Sequence, residues 1–252
     1  MFPIERKHKI LDLLEEKKFI SVKEICNNLY ISQSTARRDL IKMENEKLII
    51  RSHGGAKLPP NSANEHSYTQ REKQNKSEKI KIADMASTFI EDGISLFLDS
   101  SSTVQCVIPF LNGFKDLTIV TNGLQNALEL SKIKNLNTII IGGNLYPGSS
   151  SIVGASTNSA LSNYKVDLSI LSCRGLDENG VYEANEPQAV IKQKMIQNSN
   201  KKLLLCDSSK FNNNFFYKLG DLGTFHYIIT DVMPNNYIKN KIENSGSMVI
   251  EA

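Results

Sequence analysis

Apolar positions recur at helical spacing early in the chain and gather into short runs over the rest. Ile10, Leu13 and Leu14 give one apolar face to a helix over 4–18, and Val22, Ile25, Cys26 and Leu29 do the same for a second. Tyr30-Ile31 breaks that pattern. Ala36, Leu40 and Met43 then share one face of a third helix. Ser32 stands at its N-cap, where a hydroxyl accepts a bond from an N–H the helix start leaves unpaired. The run from Leu48 to Gly55 reads as a short strand closed by a glycine turn.

Residues 58–75 (LPPNSANEHSYTQREKQN) open on Pro-Pro and have almost no apolar periodicity, so they read as a linker in which His66 stands alone. From Lys76 the texture changes. Ile80, Ile82, Ala83, Met85, Ala86, Phe89 and Ile90 give a helix with a broad apolar face. Apolar runs at 94–98, 117–120, 138–141, 166–171, 203–206 and 227–230 read as strands. Helical stretches at 103–111, 124–133, 188–198 and 235–243 lie between them. Short apolar strands alternating with helices argue for an α/β domain with a mostly parallel sheet covered on both faces. The expected organisation is a helix-turn-helix unit with a wing over 1–57, a linker over 58–75 and an α/β domain over 76–252.

Charge sharpens this division. Residues 1–57 hold 12 Lys/Arg against 8 Asp/Glu, and the remainder holds 18 against 19. That sign suits a nucleic-acid reader fused to a near-neutral module. No run approaches the ~18 apolar residues of a membrane span, and MFPIERKHK lacks the apolar core of a signal peptide. Cys26, Cys106, Cys173 and Cys206 are scattered without a C-x-x-C pair. A disulfide framework, a metal site and a cofactor are therefore not expected, and the thiols read as small core residues of a cytoplasmic protein.

The third helix has the properties of a DNA recognition helix: short, capped, and apolar on one side, with Gln33, Ser34, Arg37, Arg38 and Lys42 on the others. Its N-terminal residues, with Ser32 and Thr35, are placed to reach base edges and phosphates. Arginine's planar fork bonds guanine or phosphate in bidentate fashion. Arg51, His53 and Gly54 of the wing, and Arg6, Lys7 and Lys9 of the first helix, are candidates for the adjacent backbone. In the α/β domain, ligands gather at the carboxyl ends of strands. There stand Asp99-Ser100-Ser101-Ser102-Thr103, Thr121-Asn122-Gly123, Gly142-Gly143 and Asp207-Ser208-Ser209-Lys210. Hydroxyls and free N–H groups at helix starts suit an anion such as phosphate. Lys210 and Arg174 offer positive charge, and Asp99 an acceptor for sugar hydroxyls.

Ser32-x-x-Thr35-x-Arg37-Arg38-Asp39-Leu40 and Arg51-x-His53-Gly54-Gly55-Ala56 resemble the winged helix-turn-helix of the DeoR family of bacterial transcriptional regulators. LDSSST, VTNG, IGG, Val153-Gly154, the G-x-x-x-x-G-V run at Gly175–Val181, Lys192 and DSSKF resemble that family's sensor domain. The resemblance implies a fold similar to ribose-5-phosphate isomerase and the CoA-transferase group. It implies a homo-oligomer, dimer or tetramer, that binds operator double-stranded DNA and represses a carbohydrate operon. The implied effector is a phosphorylated sugar or related metabolite held by Asp99, Ser100, Ser102, Thr103, Thr121, Asn122, Gly123, Gly142, Gly143, Lys192 and Lys210. It also implies that Tyr68–Ser77 packs as the approach to the next helix, at a dimer contact. Ser101 departs from the family's usual glycine, and Glu183-Ala184-Asn185-Glu186-Pro187 from a more acidic stretch. Two alternatives stand beside this reading. One is a sugar-phosphate isomerase with Glu183 or Glu186 as base and Lys210 steadying the enediolate. The other is a DNA-binding assembly protein without an effector. The preferred reading is a regulator and not an enzyme, because an isomerase has little use for a DNA reader.

Overall fold

A computed structural model describes residues 2–17, 19–46, 48–52, 54–57 and 68–252. The chain divides into two compact units, Met1–Asn64 and Glu65–Ala252. The first unit begins with α1 (Pro3–Lys17), β1 (Phe19–Ser21), α2 (Val22–Leu29) and α3 (Gln33–Asn45), and ends in the hairpin of β2 (Ile50–Ser52) and β3 (Gly55–Lys57). Ser21 starts α2 in a reciprocal cap: its hydroxyl accepts from Glu24 N, and its own N–H donates to the Glu24 carboxylate. Tyr30 ends α2 in the left-handed region at φ +54° and turns the chain into Ser32, whose hydroxyl accepts from Thr35 N at 3.2 Å. The expected apolar faces meet: Ile10, Leu14, Ile25, Leu29, Ala36, Leu40 and Met43 form one core with Ile20, Ile49 and Ala56. β3 lies between β1 and β2, all antiparallel, so the entering strand closes the wing into a three-stranded sheet.

The second unit starts with α4 (Tyr68–Lys73) and α5 (Lys76–Ser87). Residues 58–67 of the expected linker, with His66, lie outside the described residues. Its end at 68–73 is helical, because Tyr68 is buried and gives that turn an anchor. The chain continues through β4 (Ser95–Leu98), α6 (Ser102–Gln105), β5 (Thr118–Thr121), α7 (Leu124–Leu130), β6 (Asn137–Ile140), β7 (Asn144–Leu145), β8 (Ile152–Val153), α8 (Ala155–Leu161) and β9 (Val166–Ser172). It then runs through β10 (Gly175–Asp177), β11 (Gly180–Glu183), α9 (Glu186–Gln197), β12 (Ser199–Leu205), β13 (Tyr217–Gly220), β14 (Tyr227–Thr230), α10 (Asn236–Asn244) and β15 (Met248–Glu251). The helix expected over 103–111 is two pieces, α6 and a 3-10 turn at Ile108–Leu111, because Pro109 has no N–H to carry one helix through.

Seven strands form one sheet in the order β15-β14-β12-β9-β4-β5-β6, and every pairing in it is parallel. Alternate residues of each strand enter opposite cores. Leu96, Leu98, Ile119, Ile170 and Leu203 pack with Ile82, Ala86 and Leu130 on one face. Phe97, Val120, Leu171 and Leu204 pack with Leu161, Met195, Ile238 and Ile242 on the other. The chain leaves β4 outward through β5 and β6, returns to β9 on the other side, and leaves again through β12. The crevice beyond β4 and β9 is therefore the place where such sheets hold ligands. Cys173 and Cys206 are buried, whereas Cys26 and Cys106 are only partly so, and all four are free thiols.

Candidate functional site

In the first unit, α3 buries Ala36, Asp39, Leu40 and Met43 and leaves Gln33, Ser34, Arg37, Arg38 and Lys42 exposed. Among the described residues no hydrogen bond or ion pair engages the side chains of Arg37, Arg38 or Lys42. Ser32 and Thr35 cap the helix start, their hydroxyls 2.9 Å apart. Arg51 leans on Glu44, with its N–H at 3.2 Å and its guanidinium at 3.4 Å. Gly54 sits exposed on the wing at φ +83°, and His53 lies outside the described residues. A cleft of about 410 Å³ runs between helix and wing, lined by Lys23, Gln33, Arg37, Arg51, Ser52 and Gly54. Arg6 is not spare for phosphate. Its Nε and Nη2 hold the two oxygens of the nearly buried Asp39 at 2.7 and 3.1 Å, a fork that fixes α3 on α1. The Asp39 hydrogen bond, more than burial, decides the Arg6 guanidinium, which sits above its ordinary pKa. Lys7 pairs with Glu46, and Lys9 remains exposed.

In the second unit the crevice is organised on Ser172, the last residue of β9, which the sequence reading did not single out. Its N–H donates to Asp99 Oδ2 at 2.9 Å, its carbonyl accepts from Lys192 at 2.7 Å, and its hydroxyl accepts from Lys210 at 2.8 Å. Asp99, Lys192 and Lys210 are thus brought together, with Thr103, which accepts from Lys210 at 3.2 Å. Asp99 is fully buried and accepts from Ser101 N at 2.8 Å and from Lys192 at 3.1 Å, so its oxygens serve the loop itself. Lys192 also binds Glu183. Burial pulls the Lys192 ammonium down, but Asp99 and Glu183 outweigh it and leave its pKa above the ordinary value.

Lys210 bonds Asp207 Oδ2 at 3.3 Å. Burial alone would push the Asp207 carboxyl up, but Lys210, Ser209 and Asn75 hold it down at about 2. Across Ser102-Thr103 from Lys210 stands Lys79, a second residue the sequence reading passed over. It is 4% exposed, donates to Ser102 Oγ at 3.2 Å and to the Arg71 carbonyl, and has no carboxylate partner among the described residues. Burial first, and the charge of Lys210 second, lower its pKa to about 8.

The remaining candidates divide. Ser100 pairs its hydroxyl with Ser151, Ser102 donates to the Arg71 carbonyl at 3.1 Å, and Thr121 accepts from Gly123 N at 3.0 Å. A Cβ on Gly123 would stand 2.9 Å from Ser100 Cα, so this glycine lets two strand ends close on each other. Gly143 similarly serves packing, with Thr157 Oγ1 only 2.0 Å from a Cβ, while Gly142 accepts from Thr157 at 3.0 Å. Both lie at the end of β6, two strands from β4. Arg174 stacks 5.4 Å over the Phe215 ring. Asn122 donates to the Ile152 carbonyl at 3.0 Å.

Comparison with known proteins agrees with this architecture. The DeoR-like helix-turn-helix domain matches residues 6–61, and the DeoR C terminal sensor domain matches 74–232. The HTH-type transcriptional repressor GlcR of Bacillus subtilis (strain 168) is 36% identical over 246 residues, 98% of this chain and 95% of its own. The glycerol-3-phosphate regulon repressor of Escherichia coli (strain K12) is 31% identical over 231 residues, 91% of each chain. Solved structures similar to the chain include ribose 5-phosphate isomerase A from Methanocaldococcus jannaschii, 17% identical over 55% of each chain with a TM-score of 0.40. No helix among the described residues is long and apolar enough to cross a membrane. With both of its units matched and relatives aligned over nearly its full length, the chain belongs to the DeoR family of transcriptional regulators.

Proposed function

We propose that this chain is a cytoplasmic repressor of a carbohydrate operon, released from its operator by a phosphorylated sugar or related metabolite. Lys79 and Lys210 carry the reading. They flank Ser102 and Thr103, with Asp207 the one carboxylate bonded to either among the described residues, an excess of positive charge that suits a phosphate. The metabolite must favour the arrangement that binds DNA less well, and each ligand must weaken the other by the same factor. Two copies of the chain would place two α3 helices on two half-sites. We assign no reaction to the site. An isomerase base must be free to take a proton, yet Glu183 is buried against Lys192.

Fluorescence anisotropy on the gene's own upstream DNA, at fixed salt, tests this reading with a panel of phosphorylated sugars. Tight binding that one compound releases is expected, and Lys210→Ala should keep operator affinity while losing the response. Binding that no compound alters would refute the sensor reading. On the DNA side, Arg37→Ala or Arg38→Ala should lose ~1–3 kcal/mol and relax selectivity at one operator position if the arginine reads a base. A phosphate contact would instead weaken all sequences alike and flatten the salt slope by about one. Wild-type binding by both variants would remove α3 from the interface.

A further inference from the structure

Three polar atoms around the crevice are buried without a partner among the described residues: Tyr68 Oη, Asn122 Oδ1 and Asn126 Oδ1. Their residues are 8%, 3% and 1% exposed. Native proteins rarely leave such atoms unpaired, since each forfeits its bonds to water and gains nothing in return. Both amides are fixed in orientation. Asn122 donates its Nδ2 to the Ile152 carbonyl at 3.0 Å, and Asn126 donates its own to the Asp99 carbonyl. Each Oδ1 is therefore left as an acceptor in need of a donor.

The three residues gather on one short loop, 148–152, and the ends of β4 and β5. Tyr68 N donates to the Gly148 carbonyl at 3.1 Å, Leu124 N to the Ser150 carbonyl at 2.9 Å, and Ile152 N to the Asn122 carbonyl at 2.8 Å. The Ser151 hydroxyl meets Ser100. Asn126 abuts Gly123 and bonds the backbone of Asp99, the residue that holds Lys192. Burial first, and the charge of Glu72 second, raise the Tyr68 phenol.

We propose that Tyr68, Asn122 and Asn126 read the hydroxyl groups of the effector while Lys79 and Lys210 hold its phosphate. This rests on the sensor reading above and gives it a polarity: an acceptor-rich end for a polyol and a cationic end for the anion. Tyr68 has a second consequence. Its helix α4 is tied to the cationic end through the Arg71 carbonyl, which accepts from Ser102 and Lys79. A ligand hydroxyl bonded to Tyr68 is thus coupled through α4 to the side chains that hold the phosphate.

Calorimetric titration of the full chain with glycerol 3-phosphate, ribose 5-phosphate, glucose 6-phosphate and inorganic phosphate tests the proposal, using Tyr68→Phe and Lys210→Ala. The sugar or polyol phosphate that binds the wild type most tightly should bind Tyr68→Phe about tenfold more weakly, the loss of one hydrogen bond. Inorganic phosphate should bind Tyr68→Phe as it binds the wild type. Without ligand, Tyr68→Phe should melt a few degrees higher, because an unpaired hydroxyl has left the interior. Equal affinity of wild type and Tyr68→Phe for the sugar phosphate, or a lower melting temperature, would overturn the assignment. So would a wild type that binds inorganic phosphate as tightly as any panel member, which spares the anion site. A wild type that binds none of the four probes, or Lys210→Ala that binds them undiminished, would fail the sensor reading instead.

Discussion

Lys192→Met should destabilise the larger unit by about 3–5 kcal/mol, the usual result of removing one partner from a buried ionic cluster. The ammonium donates to the Ser172 carbonyl at 2.7 Å and to Asp99 at 3.1 Å, and it also binds Glu183. Methionine matches the volume and none of these bonds, so two carboxylates are left buried beside each other. In the wild type the ammonium's pKa is raised above 10.5. Its contribution is therefore whole below pH 10.5 and fades only as pH climbs through the raised value. Denaturant midpoints of the two chains between pH 5 and pH 8 measure this. Adding Glu183→Gln should recover part of the loss. An unchanged midpoint would mean that the cluster is not held by charge.

The second large effect concerns a pair that touches no ligand. Asp39→Ala removes the 2.7 and 3.1 Å charge-assisted bonds that hold the half-buried Arg6 guanidinium, a loss of roughly 1.5–3 kcal/mol. A unit of this size has little stability to spare, so α3 should lose its seat and operator binding should disappear on warming. Arg6→Lys should rescue poorly, because an ammonium cannot fork two carboxylate oxygens. Calorimetry on the full chain separates the outcomes: the transition of the smaller unit should fall while that of the larger stays. Both transitions unmoved, with DNA binding intact, would make the fork a surface detail.

These two clusters also mark where the sequence stops being legible. Local spacing carries the helix faces of α1 to α3, the Ser32 cap and the apolar strands β4, β5, β6, β9, β12 and β14, since each pattern repeats within a turn or a pleat. Arg6 and Asp39 stand 33 positions apart, and no periodicity joins them. Ser172 was hidden because a serine at the end of an apolar strand has no neighbour in sequence to betray its role. β10, β11 and β13 are short and half polar and lack the apolar run that reveals a buried strand, whereas β15 has only the three apolar residues Met248, Val249 and Ile250, too few to tell a strand from a turn of helix. Lys79 did leave a signal. It occupies the apolar face with Ile82, Ala83 and Ala86 at i+3, i+4 and i+7, where a charge needs a reason.

The strand order has a consequence in time. β4 pairs with β9, Leu96 opposite Leu168, and β14 waits for β15 at the far edge. The core of the smaller unit, by contrast, closes between Ile10 and Ala56. On a ribosome adding 5–20 residues per second, the DNA reader is complete roughly 10–40 s before the sheet of the sensor can close. Each nascent chain therefore passes through an interval with a folded recognition helix and no crevice.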